Sequence, residues 1–282
     1  MDFATLERRV EELAATPPGQ HLAQDAEVII DALLLALEHG KVRAARREDD
    51  GSWHAVPWVK RGILVGFRAG HLRGMGDDIS PFSFVDKHTY PTQLFRPEQN
   101  VRIVPGGSSV RRGAYVAPGV VCMPPMYINV GAWVGSGTMV DSHALVGSCA
   151  QVGERVHLSA AAQVGGVLEP VNASPVVIED DVLVGGNCGV YEGTIVREKA
   201  VLASGTILTR GTPVYDLVKE QVYRGSAERP LEIPAGAVVV PGARAVTSGW
   251  GASEGLSLQT PVIVKYRDEK TDLATALESW LR

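Results

Sequence analysis

Two carboxylates and two histidines stand where a side chain could handle a proton. Asp141 follows Val140 in the stretch Val140-Asp141-Ser142-His143-Ala144-Leu145, at a place where sibling stretches put glycine or another small residue. A carboxylate there can bind an ammonium group and assist its loss of a proton. A corner aspartate that bonds the turn backbone leaves the same trace in the sequence, so both readings stand on the residues alone. Glu192, in VYEGTIV, is a second carboxylate able to serve as general base or amine anchor. His157, in ERVHLS, and His143 carry imidazoles that titrate near neutrality, although a lone histidine is more often structural. Cys122, Cys149 and Cys188 are odd in number and lack CxxC spacing, which reads as reduced, packed thiols.

These residues must be positioned by a repeat of six. An aliphatic residue, or once a cysteine, recurs at Val104, Val110, Val116, Cys122, Ile128, Val134, Val140, Val146, Val152, Leu158 and Val164. After an interruption the series resumes at Ile178, Val184, Val190, Val196, Leu202, Leu208 and Val214. Small or β-branched residues such as Ala114, Ala132, Thr138, Ala144 and Ala162 follow four positions later. A period of six walks around a helix at about 100° per residue, so no helix explains it. It describes short strands joined by tight corners and stacked in coils, with one side chain per hexad in a narrow core. Three hexads per coil give a prism of roughly six coils, each rising about 4.8 Å. The fold class is mainly β with a helical N-terminal domain.

The 282 residues carry 27 basic and 32 acidic side chains, a formal charge of −5 that offers no nucleic-acid surface. No apolar run approaches the ~20 residues of a membrane span, and the opening MDFATLERRVEEL is amphipathic rather than signal-like. The expected setting is cytoplasmic.

The spacing divides the chain into residues 1–100, an α/β N-terminal domain; 101–248, the prism with loops at 168–177 and 215–232; and 249–282, a closing strand and helix. Helices are expected over about 2–15 (Phe3, Leu6, Val10 and Leu13 on one stripe), from Ala23 to His39 with Gly40 as its stop, and from Pro57 to Arg68. A hairpin is expected around Asp50-Gly51, then a turn-rich connector over 70–100. IPAGAV and VVPGAR read as a return to the repeat, PVIVKY as a strand, and Glu269 to Leu281 as a last helix.

GTMVDSH, VGSCAQVGERVHLSAAAQVGGVLEP, IEDDVLVGGNCGVYEGTIV and NVRIVPGGSSVRRGAYV closely resemble the tetrahydrodipicolinate N-succinyltransferase family, over nearly the whole chain. The resemblance implies a homotrimer of left-handed parallel β-helices. It implies transfer of succinyl from succinyl-CoA to the amino group of a ring-opened dicarboxylate, in the route to diaminopimelate and lysine. Succinyl-CoA is then a cosubstrate, with no metal or permanent cofactor. It makes Asp141 a substrate-contacting residue and Arg102 a carboxylate-binding guanidinium, with Arg111 and Arg112 as alternates. It puts the CoA site in a groove between subunits, where the backbone of Ala203, Ser204 and Gly205 could pair with pantetheine, and Arg244 and Lys265 could meet phosphates. The LEP loop, 168–177, is expected to leave the prism and cover a neighbouring subunit's site.

Some relatives have an acidic residue where this chain has Gly189, an Arg at Asn187, and acidic residues before Gly137. The departures at Gly189 and Asn187 weaken an assignment of the base to the Glu192 coil. WVGSGTMVD, and HLSAAAQVGG where relatives are often glycine-rich, keep an acetyl-CoA-dependent N-acetyltransferase, or a different amino dicarboxylate as acceptor, as the alternative. A zinc hydratase of the γ-carbonic-anhydrase type needs three convergent histidines, and the repeat holds only His143 and His157. A non-catalytic scaffold is a third reading, opposed by Asp141 and the LEP loop.

Overall fold

The computed structural model describes residues 1–76, 83–226 and 229–268. Its centre is a left-handed parallel β-helix of two-residue strands, wound as a three-sided prism. One face stacks Tyr115–Val116, Trp133–Val134, Gln151–Val152, Val177–Ile178, Ile195–Val196 and Glu232–Ile233; it is the face the N-terminal part covers. A second, the open face, stacks Ser109–Val110, Tyr127–Ile128, Leu145–Val146, Gln163–Val164, Gly189–Val190 and Ile207–Leu208. The third, the extended face, stacks Arg102–Ile103, Val121–Cys122, Met139–Val140, His157–Leu158, Leu183–Val184 and Val201–Leu202, then continues into the long strand Ala237–Ala245.

In each strand the second residue is the hexad aliphatic and points inward. Val134, Val140, Val146, Val152, Leu158, Val184 and Leu202 are all fully buried, which is why the spacing is strict. The four-later positions, such as Ala114, Ala144 and Thr206, are buried at the corners. The residue between bends back in the left-handed region, where Gly113, Gly131 and Gly137 sit without strain and His143 (φ 62°) and Glu192 (φ 55°) are forced into it.

The repeat departs from its expected reading at both ends. Ile103, not Val104, holds the inward place, because Ile103 pairs with Cys122. The extra residue is taken up in the turn through Gly106 and Gly107, both at positive φ. At the other end, Val214 belongs to no coil. Ile233 takes the place beside Val196, and Val214–Asp216 pairs instead with Ser257–Tyr266 and Gln221–Tyr223. The excursion therefore leaves after Leu208, not at Tyr215. VVPGAR does return to the repeat, with Val239 buried beside Leu202 six residues after Ile233, but its strand Ala237–Ala245 then runs on as a long antiparallel partner of Ser257–Tyr266.

Helices α1 (Phe3–Ala14), α2 (Ala26–Glu38) and α3 (Pro57–Ala69) form a second core through Leu6, Val10, Leu33, Leu34, Val59 and Ile63. Phe3, expected on that stripe, is 49 % exposed. The bundle docks on the prism corner that carries Val130 and Cys149, and Arg112 ties it down through Asp31 (2.6 Å) and Glu38 (3.1 Å). Ala45–Arg47 and Trp53–Ala55 form the hairpin expected at Asp50-Gly51. Within the connector, Leu72–Met75 pairs with Phe84–Lys87, structure that the run of turn residues concealed. The helix expected from Glu269 to Leu281 lies outside the described residues. No helix among the described residues is long and apolar enough to cross a membrane.

Candidate active site

The corner between the extended and open faces carries Asp141. Its carboxylate, 30 % exposed, takes the Ser142 N–H on Oδ1 (2.7 Å) and faces His157 Nε2 with Oδ2 at 3.8 Å. One oxygen thus makes the turn bond and the other points toward an imidazole on the next coil, so the structural and chemical readings of this aspartate coexist. His143, on the same corner, is exposed and places its backbone N–H on the Pro125 carbonyl.

Above Asp141 the ladder stacks small residues along this edge. Asp141 N–H donates to Leu158 O, Ser159 to Val184 O, Gly185 to Leu202 O and Ala203 to Val239 O. Gly185 is required there, since a Cβ would come within 2.6 Å of Ser204 N. Along this edge Asp141 and Ala203 stand three coils, about 14 Å, apart. Ser204 is exposed and Gly205 turns at φ 79°. The Ala203 carbonyl is already engaged by Thr206 Oγ1 (2.7 Å) and Cys188 Sγ (3.1 Å).

Arg102 is exposed on the extended face, two coils below Met139 and so about 10 Å from the Asp141 strand. Its alternates serve the packing. Arg111 pairs with Asp86 beneath Phe67 and Tyr90, and Arg112 pairs with α2. Lys265 lies beside Val238 and pairs with Asp268 (3.3 Å), whereas Arg244 is opposite Leu258, six residues further along the strand. About 20 Å of strand separates the two cations, and they do not form one phosphate site.

Glu192 is on a different corner, between the open and covered faces. Its Oε2 accepts the Arg210 N–H (3.1 Å), and it lines a cleft with Pro170, Ala173, Arg210 and Arg229. Within one chain, Asp141 and Glu192 are therefore not brought together. Gly189, beside it, lies under the Tyr191 ring: a Cβ there would be 2.4 Å from the ring, so no acidic side chain fits unless the tyrosine moves.

The LEP loop emerges on the Glu192 corner. It packs Leu168 against the helical core and Ala173 against the prism core. Lys60, fully buried on α3, crosses to donate to the Ala173 carbonyl (2.6 Å), and burial lowers its pKa. Sequence spacing held no sign of this tether, because a lysine at the fourth position of an amphipathic helix reads as surface. Lys60→Met is expected to keep the fold, since a matched apolar group can replace a buried cation. It should speed proteolysis within 168–177 and cut kcat/KM roughly tenfold by loosening a site loop. Unchanged cleavage and turnover would remove the loop from the site.

The cysteines are buried and unpaired; burial pushes the Cys122 and Cys149 thiols up to about 12. No group of three or more His, Cys, Asp or Glu able to hold a metal ion occurs among the described residues.

Comparison with known proteins places these features in a family. Residues 5–69 match the tetrahydrodipicolinate N-succinyltransferase N-terminal model, and residues 175–210 match the hexapeptide repeat of succinyl-transferase. The chain is 40 % identical to the 2,3,4,5-tetrahydropyridine-2,6-dicarboxylate N-succinyltransferase of Paramagnetospirillum magneticum, over 100 % of both chains. It is 37 % identical to the protein of the same name from Chelativorans sp., over 100 % of this chain and 98 % of that one. A solved Campylobacter jejuni structure, described as a 2,3,4,5-tetrahydropyridine-2-carboxylate N-succinyltransferase, matches with a TM-score of 0.52 at 20 % identity. The match covers 86 % of this chain and 63 % of that one, and it shows the shared fold.

Proposed function

The chain belongs to the tetrahydrodipicolinate N-succinyltransferase family, and we propose that it moves succinyl from succinyl-CoA to the amino group of ring-opened tetrahydrodipicolinate. The full-length identity to relatives of that name carries the reading. A cytoplasmic setting follows from the same biosynthetic role.

The amine attacks the succinyl thioester directly in a ternary complex. The C–N bond forms, the C–S bond breaks, and CoA leaves as thiol once the nitrogen has lost its proton. Asp141 binds the ammonium and assists that loss. Arg102, on the same face, holds a substrate carboxylate bidentately. The small-residue track from Ser159 through Gly185 to Ala203, Ser204 and Gly205 accommodates the pantetheine arm. Lys265 supplies charge for a phosphate where the track ends; Arg244, about 20 Å away, is too far to join it. Closure of the LEP loop over the thioester excludes water and limits its hydrolysis.

A trimer explains why the two carboxylates sit on opposite edges of the open face. The covered face is occupied by the chain's own N-terminal part and the extended face runs on into the Ala237–Ala245 and Ser257–Tyr266 strands, so the open face is the one turned toward a threefold axis. A cyclic, heterologous contact then sets the Asp141 edge of one subunit against the Glu192 edge and LEP loop of the next. The two carboxylates differ by two coils in height, about 10 Å, the scale of an extended dicarboxylate. Glu192 anchors or deprotonates the amine from across the interface.

Mixing tests this arrangement. Trimers made of Asp141→Ala chains or of Glu192→Gln chains should each release CoA slowly from succinyl-CoA and tetrahydrodipicolinate. Equal, randomly mixed chains should recover activity at about one quarter of the sites, those pairing an intact Asp141 with an intact Glu192. Mixed trimers no more active than the parents would place both residues on one chain's site or remove Glu192 from it.

A further inference from the structure

A second cavity of about 450 Å³ opens between the N-terminal hairpin and the covered face, lined by none of the residues assigned to acyl transfer. Its floor is made by Gly135, Ser136 and Gly153, which leave it unfilled. Its walls are aromatic. Tyr115 and Trp133 stack at 4.0 Å, and the Arg43 guanidinium lies 3.9 Å over the Trp133 ring and 5.3 Å from Trp53.

Arg43 is half-buried, and its Nε donates to Gln151 Oε1 (2.8 Å). No carboxylate among the described residues lies within 4.0 Å of it. Loss of solvent brings its pKa down to about 10, and Asp180 is the charge that most opposes the shift. Asp180 and Arg43 both line the cavity and make no ion pair with each other. Asp180 uses Oδ1 to take the Glu154 N–H (2.8 Å), and neither Asp180 nor the exposed Glu198 makes an ion pair among the described residues.

A fixed cation and a fixed anion separated by open space are complementary to a zwitterion. A carboxylate on Arg43 would receive charge-assisted hydrogen bonds, and an ammonium would meet Asp180. The aromatic wall suits methylenes; Arg47 and Arg197 answer Glu179 and Arg155 answers Glu154, so of the other lining carboxylates Glu198 is the one that favours a second positive group. We propose that this cavity is a binding site for a basic α-amino acid, separate from the acyl-transfer site.

Calorimetric titration of the full chain with lysine tests it, with norleucine (no side-chain ammonium) and cadaverine (no carboxylate) as comparisons. Lysine is expected to bind once per chain, with each comparison at least about tenfold weaker. Arg43→Met should weaken lysine at least about tenfold. Because Arg43 also packs the hairpin, the exposed Glu198→Gln serves as the second variant and should lose severalfold affinity with an unchanged melting temperature. Asp141→Ala should bind lysine as the parent does. The proposal fails if lysine gives no saturable heat, or if Arg43→Met and Glu198→Gln bind like the parent. It fails also if Asp141→Ala abolishes binding, which would move lysine to the acyl-transfer site. No acyl-CoA enters the titration, so its outcome is independent of the proposed reaction.

Discussion

Asp141→Ala should leave the fold and the oligomeric state of the parent unchanged and turn over at least about two orders of magnitude more slowly, the loss typical of a missing proton-transfer group. The side chain is partly exposed at a corner and is not in the core, so its removal opens no cavity. Among the described residues it forfeits the bond from Ser142 N–H, at a corner where that N–H can turn to water, and the 3.8 Å approach to His157 Nε2. Asp141→Asn separates the contributions further. It keeps an oxygen for Ser142 but cannot hold a proton from the amine, so it should be as slow as the alanine variant with a KM closer to the parent. Steady-state kinetics with size-exclusion chromatography checks both. Near-parental turnover in either variant would return Asp141 to the role of a turn residue.

The second large effect is on stability. Leu158→Ala is expected to cost about 2–5 kcal/mol, the range for large-to-small changes in a closely packed core. Leu158 is fully buried and lies in the column between Val140 and Val184. Only one such side chain per strand fills the prism at each level, and neighbouring coils are held in register by the ladder, so the void has little chance to collapse. A drop of roughly 5–15 °C in the melting temperature should result. A loss below about 1 kcal/mol would mean that the column relaxes around the gap and is not the tightly specified core that the strict spacing implies. His157 and Asp141 stand on the outer side of the same two strands, so the variant should also lower turnover.

The hexad made the prism legible because each buried column tolerates one aliphatic size at a fixed interval, and sequence records that directly. Its edges were harder to read. Val104 lies next to the true inward residue Ile103, and both are β-branched, so spacing alone chose the neighbour that extended the series. Val214 fell on the beat because it is buried too, against the end of the prism core, but its strand pairs with Gln221–Tyr223 and Ser257–Tyr266 and belongs to no coil. Asp141 could be picked out as a carboxylate in a place of small residues. That it lies an edge away from Glu192 depends on which corner each hexad occupies, which the period does not label.

The pocket around Arg43 was invisible to spacing, since its members come from residues 43, 53, 115, 133 and 180. One signal was present. Tyr115 and Trp133 are bulky aromatics at the outward place of successive coils, 18 residues apart, and mark a face that another element must cover. The Lys60 tether had no comparable signal.

CoA release by the purified chain, with tetrahydrodipicolinate as acceptor and succinyl-CoA or acetyl-CoA as donor, bears most directly on the proposed reaction. Rapid release with succinyl-CoA and little with acetyl-CoA is the expected result. Preference for acetyl-CoA would contradict the succinyl assignment while leaving the fold and the Asp141 chemistry in place, and no release with either donor would contradict the acceptor as well.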